Sequence, residues 1–144
     1  MVRLNDPERG GTGMAETARD TSQVGANEFV MRLAEIKARH SGQGDRWNEY
    51  LVATPDLRIN MICAAPGAVS RRHNHPQSDE AWVIVEGEVE FRVDGRPPVR
   101  VGPGDYVFVP RGVYHELEVV GDRPSIRLAI VAPNDRPWTI PAGG

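Results

Sequence analysis

Glycine and proline set the tightest limit on how this chain can fold. Fifteen glycines and twelve prolines are spread through 144 residues. Proline fixes φ and removes a donor, while glycine takes up turn conformations that other residues avoid. Long helices cannot dominate such a chain, and short elements joined by tight turns are predicted instead. The hydrophobic pattern agrees. From about Tyr50 its period is two: Leu57, Ile59, Met61 and Cys63 alternate with Arg58, Asn60, Ile62 and Ala64, which marks a strand closed by Pro66-Gly67. Further strands are predicted over 70–75, 80–85, 88–93, 106–109, 113–119 and 126–131. Turn signals stand between them, at Asp94-Gly95, Gly102 to Asp105, Pro110-Arg111-Gly112 and Gly121-Asp122. Many short strands at regular spacing define an all-β fold, an antiparallel sandwich or barrel.

The first 45 residues read differently. Residues 1 to about 25 are polar and lack periodicity, as a loosely ordered or docked tail would. A helix is predicted next, capped by Asn27, with Phe29, Leu33 and Ile36 on one apolar face. Arg39, His40, Ser41 and Gly42 end it, and His40 is read as a solvated helix-end residue. The expected organisation is an N-terminal tail and amphipathic helix over 1–45, one barrel domain over 46–134, and a C-terminal tail over 135–144. Trp138, isolated in that Pro-rich tail, is expected to serve packing.

Charge excludes some partners. A net charge of -3 leaves no basic surplus to displace counterions from nucleic acid, and one helix is too little for a helix-turn-helix reader. The single cysteine, Cys63, cannot form an intrachain disulfide and is read as a small buried residue. The apolar run 81–85 is far too short to cross a bilayer, and residues 1–14 lack the apolar stretch of a signal peptide. The expectation is a soluble cytoplasmic protein.

Chemistry concentrates in three of the four histidines. His73 and His75, one residue apart, would share a face if their segment is a strand. Pro76 breaks that segment, and Glu80 opens the next with a carboxylate able to return to the same point. His115 follows the turn at Pro110-Arg111-Gly112 and shares a face with Leu117 and Val119. Three neutral imidazoles and a carboxylate form a mixed nitrogen and oxygen donor set that suits Fe(II), Mn(II), Ni(II), Co(II) or Zn(II). An octahedral ion so held would keep positions for exogenous ligands, as a catalytic rather than a closed structural site does. Asp79 competes for the carboxylate role, but the longer arm of Glu80 reaches back better. An inward Glu80 carries Trp82 and Ile84 inward with it, so the cavity wall near the ion should be largely apolar, with Trp82, Leu117 and Val119 as candidate pocket residues. Arg127 either faces solvent, the simpler expectation, or reaches the cavity to hold a carboxylate. Phe91 should fill the barrel.

These residues resemble the two motifs of the cupin superfamily. Gly67, His73, His75, Glu80 and Gly87 stand at the places of the first motif, and Gly104, Pro110, Gly112 and His115 at those of the second. The resemblance also favours Glu80 over Asp79, because Glu80 alone puts Gly87 at the motif's spacing, and Asp79 is read as an exposed turn residue. Val119 departs from the pattern where asparagine is usual, turning a polar wall position apolar. Sixteen residues separate Gly87 from Gly104, as in compact single-domain bacterial cupins. The resemblance covers residues 57 to 132. It implies a double-stranded β-helix, or jelly-roll barrel, with one divalent transition metal on His73, His75, Glu80 and His115. Fe(II) or Mn(II) is favoured, and Glu80 is the catalytic candidate as a labile ligand or proton acceptor. The implied activity is dioxygenase-like chemistry on a small organic molecule. The alternatives are a redox-neutral lyase or isomerase, and a non-catalytic metal-containing binding protein. A homodimer is expected, the N-terminal helix or tail covering a partner's sheet.

Overall fold

A computed structural model describes residues 26–135, and the expectations for the N-terminal tail and for Trp138 lie outside the described residues. One helix, α1 (Leu33–Arg39), precedes nine strands: β1 (Trp47–Ala53), β2 (Arg58–Ala64), β3 (Val69–His73), β4 (Asp79–Glu86), β5 (Glu88–Val93), β6 (Val99–Val101), β7 (Tyr106–Val109), β8 (His115–Val120) and β9 (Ser125–Ala132). They form a five-stranded sheet in the order β1-β2-β9-β4-β7 and a four-stranded sheet in the order β3-β8-β5-β6. Each strand pair is antiparallel. This is the double-stranded β-helix expected from the sequence.

Two apolar clusters follow from the alternation of side chains across the pleat. Between the sheets, Phe91, Val89, Leu117, Trp82, Ile84 and Val109 are buried together, and Phe91 does fill the interior. On the outer face of the five-stranded sheet, Met61, Cys63, Ile126 and Trp47 receive Ile36 of α1. The period-two reading of β2 therefore holds, and its Met61–Cys63 side faces the helix. The side bearing Arg58, Asn60 and Ile62 faces the interior.

The helix starts later than the sequence predicts. Arg32 occupies the N-cap without a side-chain cap bond. Asn27 serves another purpose. With φ at 68°, it donates its backbone N–H to Leu51 O and exchanges two side-chain bonds with Ala53, fastening the chain to β1. Asparagine tolerates this left-handed backbone better than most residues. Phe29 precedes the helix and is fully exposed, so it belongs to no apolar face.

His40 is a second correction. It stacks on Trp47 with ring centroids 4.6 Å apart, and its Nε2 lies 2.7 Å from Glu49 Oε2. The apolar flank of Trp47 and the buried carboxylate of Glu49 draw the imidazole out of solvent. Strands β1 and β6 escaped the reading, and β1 shows why. Trp47 and Glu49 face the helix and Asn48 and Tyr50 line the cavity, but a register shift between Tyr50 and Val52 then breaks the alternation, so the second half of the strand does not continue the pattern of the first. Such an extra residue defeats a strict count of two.

Gly67, Gly87, Gly104 and Gly112, all predicted at turns, have positive φ. Gly87 is the most constrained. Its α-carbon lies against the β8–β9 connection, where a Cβ would press on the Pro124 carbonyl oxygen and sit 2.9 Å from Ser125 Cα.

Candidate metal centre

The site forms where the ends of three strands meet. His73 closes β3, His115 opens β8 directly opposite it, and Glu80 is the second residue of β4. His75 stands two residues beyond the end of β3. The strand predicted to carry both histidines thus stops at the first of them. Backbone bonds place the second: Gly112 N donates to His75 O at 2.8 Å, and Asn74 Nδ2 donates to Gly112 O at 3.1 Å. Asp79 clasps the same turn from β4, accepting from the backbone N of Arg111 at 3.0 Å and from its Nη2 at 2.9 Å. It is not among the four converging residues, but it opens β4 and is half-buried rather than the exposed turn residue expected. The Pro110 to Gly112 turn is therefore held on both sides by the segments that carry the other three ligands.

His73, His75, Glu80 and His115 are all buried, and one potential ligand atom from each lies within 4.8 Å of the others. His73 Nδ1 lies 2.6 Å from Arg71 O, and His115 Nδ1 lies 3.1 Å from Val113 O. A carbonyl can only accept, so in the neutral imidazoles each Nδ1 carries the proton and each Nε2 offers a lone pair. This outer hydrogen bond is the usual device that orients a metal-binding imidazole.

The Glu80 carboxylate fits the same reading. Its Oε2 lies 2.8 Å from His115 Nε2 and 3.3 Å from His75 Nε2, yet neither Glu80 Oε2 nor His115 Nε2 has a hydrogen-bond partner of adequate geometry among the described residues. Lone pairs converge there on one point. Burial alone would raise the Glu80 carboxyl, whereas hydrogen bonds and positive charge from protonated His115 and His75 would hold it at about 2; with the His115 Nε2 unprotonated, a divalent cation at the same point would supply that charge instead. Burial pushes the His73 imidazole below its ordinary value, offset in part by its bond to Arg71 O. An anionic carboxylate beside a neutral imidazole is the protonation state a divalent ion requires. The residues present could hold one such ion.

The four groups open onto a cavity of about 610 Å³ between the sheets. Trp82 lines it. Leu117 and Val119 do not; they are packed in the interior beside it. Arg127 is 5% exposed, which overturns the solvent expectation. Its guanidinium lies 5.5 Å from the Trp82 ring centroid and its Nη1 donates to Ser125 Oγ at 2.7 Å. Burial holds it down to about 10. It does not line the cavity either. The register explains this position: Arg127 pairs with Ile62 and Ile84, one inward row deeper than Trp82. The wall is also more polar than predicted, because Arg58, Asn60, Asn48, Tyr50 and Ser70 contribute to it. The signal was present in β2, where the face opposite Met61 and Cys63 carries Arg58 and Asn60. Which face turned inward was not legible.

Comparison with known proteins agrees with this architecture. The cupin domain model matches residues 60–131, and the chain belongs to the cupin family. It is 45% identical over 78 residues to the dimethylsulfoniopropionate lyase DddQ of Ruegeria pomeroyi, a stretch that is 54% of this chain and 38% of that protein. It is 35% identical over 75 residues to the tetracenomycin polyketide synthase protein TcmJ of Streptomyces glaucescens, covering 52% of this chain and 50% of that one. The matched part thus spans half or less of these relatives' length. Among solved structures, DddQ superposes with a TM-score of 0.61 at 27% identity, over 72% of this chain and 56% of that one. KdgF from Halomonas sp. shares the fold with a TM-score of 0.58 at 24% identity, over 64% of this chain and 83% of that one. Among the described residues, no helix is long and apolar enough to cross a membrane.

Proposed function

We propose that this cupin is a mononuclear metal-dependent enzyme acting on a small organic molecule, with dioxygenase-type chemistry as its first reading. One observation carries the proposal: four buried ligand atoms within 4.8 Å of one another at the wall of a 610 Å³ cavity. A divalent ion there would supply Lewis acidity to a substrate oxygen, or a redox centre if it is Fe(II) or Mn(II). His73 and His115 are pre-set by their backbone bonds to present Nε2. Glu80, ionised at neutral pH, contributes a carboxylate as ligand or proton acceptor. Trp82 supplies an apolar wall against which a carbon skeleton can lie.

A redox-neutral lyase is the second reading, favoured by the 45% identity to a protein named as a lyase. In an elimination the substrate loses a proton to a base while the leaving group departs with its bonding electrons, and no oxidant is consumed. One comparison separates the two. The protein loaded anaerobically with Fe(II) is assayed for oxygen uptake with catechols, enols and hydroxy acids. The protein loaded with Zn(II) or Ni(II) is assayed without oxygen on short acids bearing a β leaving group, dimethylsulfoniopropionate included. Oxygen consumption coupled to substrate loss supports the first reading, and oxygen-independent turnover supports the second. No turnover with any metal and any substrate overturns the enzymatic proposal and leaves a binding protein.

A further inference from the structure

The inner face of the five-stranded sheet places two polar residues of β2 across from the metal centre. Register fixes their positions. Arg58 pairs with Val131 of β9, which pairs with Glu80 of β4. Asn60 pairs with Ala129, which pairs with Trp82. Arg58 and Glu80 thus occupy one row of the sheet, two strand spacings or about 10 Å apart. Asn60 and Trp82 occupy the next. Val131 and Ala129 stand between them in the two rows.

The chemistry of this wall is unbalanced. Arg58 is the one cation lining the cavity and Glu80 the one carboxylate. Among the described residues Arg58 makes no ion pair, and its Nε is buried without a hydrogen-bond partner. Trp82 Nε1, a donor, and Asn60 Oδ1, an acceptor, are buried on the same wall and equally unpartnered. Asn60 is held in place from behind, its Nδ2 donating to Asn48 Oδ1 at 3.1 Å. Leaving such groups unpaired costs more than pairing them gains, so the wall favours a ligand that pairs with them. Once Glu80 is committed to an ion with the three imidazoles, the guanidinium is the remaining fixed charge among the lining residues, with Asp135 acting on it from outside that lining.

We propose that Arg58 anchors the substrate in this cavity and that the substrate class is a short-chain organic acid, its carboxylate on Arg58, its body against Trp82, and a second oxygen directed at the four-ligand centre. Asn60 Oδ1 accepts from a hydroxyl or N–H on the same molecule. A planar guanidinium is suited to a carboxylate, which it can bind through two parallel hydrogen bonds. The inference rests on the metal-enzyme reading for the role of that second oxygen, but the Arg58 contact can be tested without it.

The test is calorimetric titration of the metal-loaded protein, and of the same protein after chelation, with 3-hydroxybutyrate and its neutral analogue 3-hydroxybutyramide. Metal content and melting temperature are measured on each sample. The wild type is expected to bind the acid at least about tenfold more tightly than the amide. Arg58→Met should abolish that preference while keeping its metal and its fold, and Arg58→Lys should restore part of it. Should Arg58→Met fail to fold, the Lys variant carries the test, since a monodentate ammonium should give an intermediate preference. Equal affinity of the wild type for acid and amide, no saturable binding of the acid, or an unchanged preference in the Arg58 variants would overturn the proposal. If the wild type holds no metal yet still discriminates acid from amide through Arg58, the anchor stands and the metal-enzyme reading fails.

Discussion

His73 and His115 stand directly opposite each other across the β3–β8 ladder, their ring centroids 4.3 Å apart, and each ring is tied through Nδ1 to the carbonyl two residues before it. The same local device thus acts twice, on segments far apart in the chain, and the register of one strand pair brings the two rings together. A register shift between Ser70 and His73 contributes. Without the extra residue, Ser70 and His73 would point to opposite faces, yet both line the cavity. The imidazole positions are a property of the ladder.

The helix packs chiefly through Ile36, with Leu33 partly buried beside it. Ile36 is the buried residue of α1, and it meets Trp47, Met61, Cys63 and Ile126 on the outer face of the sheet. Ile36→Ala should cost about 2–4 kcal/mol of stability, as cavity-forming truncations do. Because this cluster lies on the far side of the sheet from the ligands, metal content should be unchanged. Denaturant unfolding and metal analysis on the same preparation check both halves.

Gly87 and Gly95 make a matched pair. Both have φ near +80°, but a Cβ at Gly95 meets nothing within 4 Å, while one at Gly87 meets the Pro124–Ser125 backbone. Gly95→Ala should cost only the conformational penalty of about 1–2 kcal/mol. Gly87→Ala should cost clearly more, since Pro124 must also move. Thermal melting reads the difference, at about 4 °C per kcal/mol, and equal melting temperatures would refute the packing argument.

Acid stability should depend on Glu49. Burial alone would raise its carboxyl, but hydrogen bonds and charge from Arg39 and His40 hold it below the ordinary 4.5. A depressed carboxylate contributes stability that is fully present above the unfolded-state value and is lost as pH falls through the folded one. Unfolding free energy should therefore fall as pH drops below 4.5. Glu49→Gln should be less stable near neutrality and show a flatter acid limb. Urea unfolding across that range gives the slope, and parallel acid limbs would remove Glu49 from the account.

Much of this fold was legible in the chain because the period of two is a local signal. Strands β5 and β7 begin and end where the pattern places them, and His73, His75, Glu80 and His115 could be picked out from spacing, donor chemistry and the resemblance to the cupin motifs. Features that depend on a distant partner were not legible. His40 reads as solvated until Trp47 and Glu49 are folded against it. Asn27 reads as a helix cap until β1 supplies better partners for it at Leu51 and Ala53. Arg127 looks exposed because its alternation names a face without saying which side of the sheet is inside. Arg58 and Asn60 went without a role for the same reason, and they are the residues that make the cavity wall polar.

Metal content of the purified chain tests the central claim most directly. Elemental analysis is made on the wild type, His73→Ala, His115→Ala and His40→Ala, the last changing the one histidine of the chain outside the centre. The wild type and His40→Ala should carry about one divalent ion per chain, and His73→Ala and His115→Ala should lose most of it. Equal metal content in all four proteins would contradict the assignment of the centre.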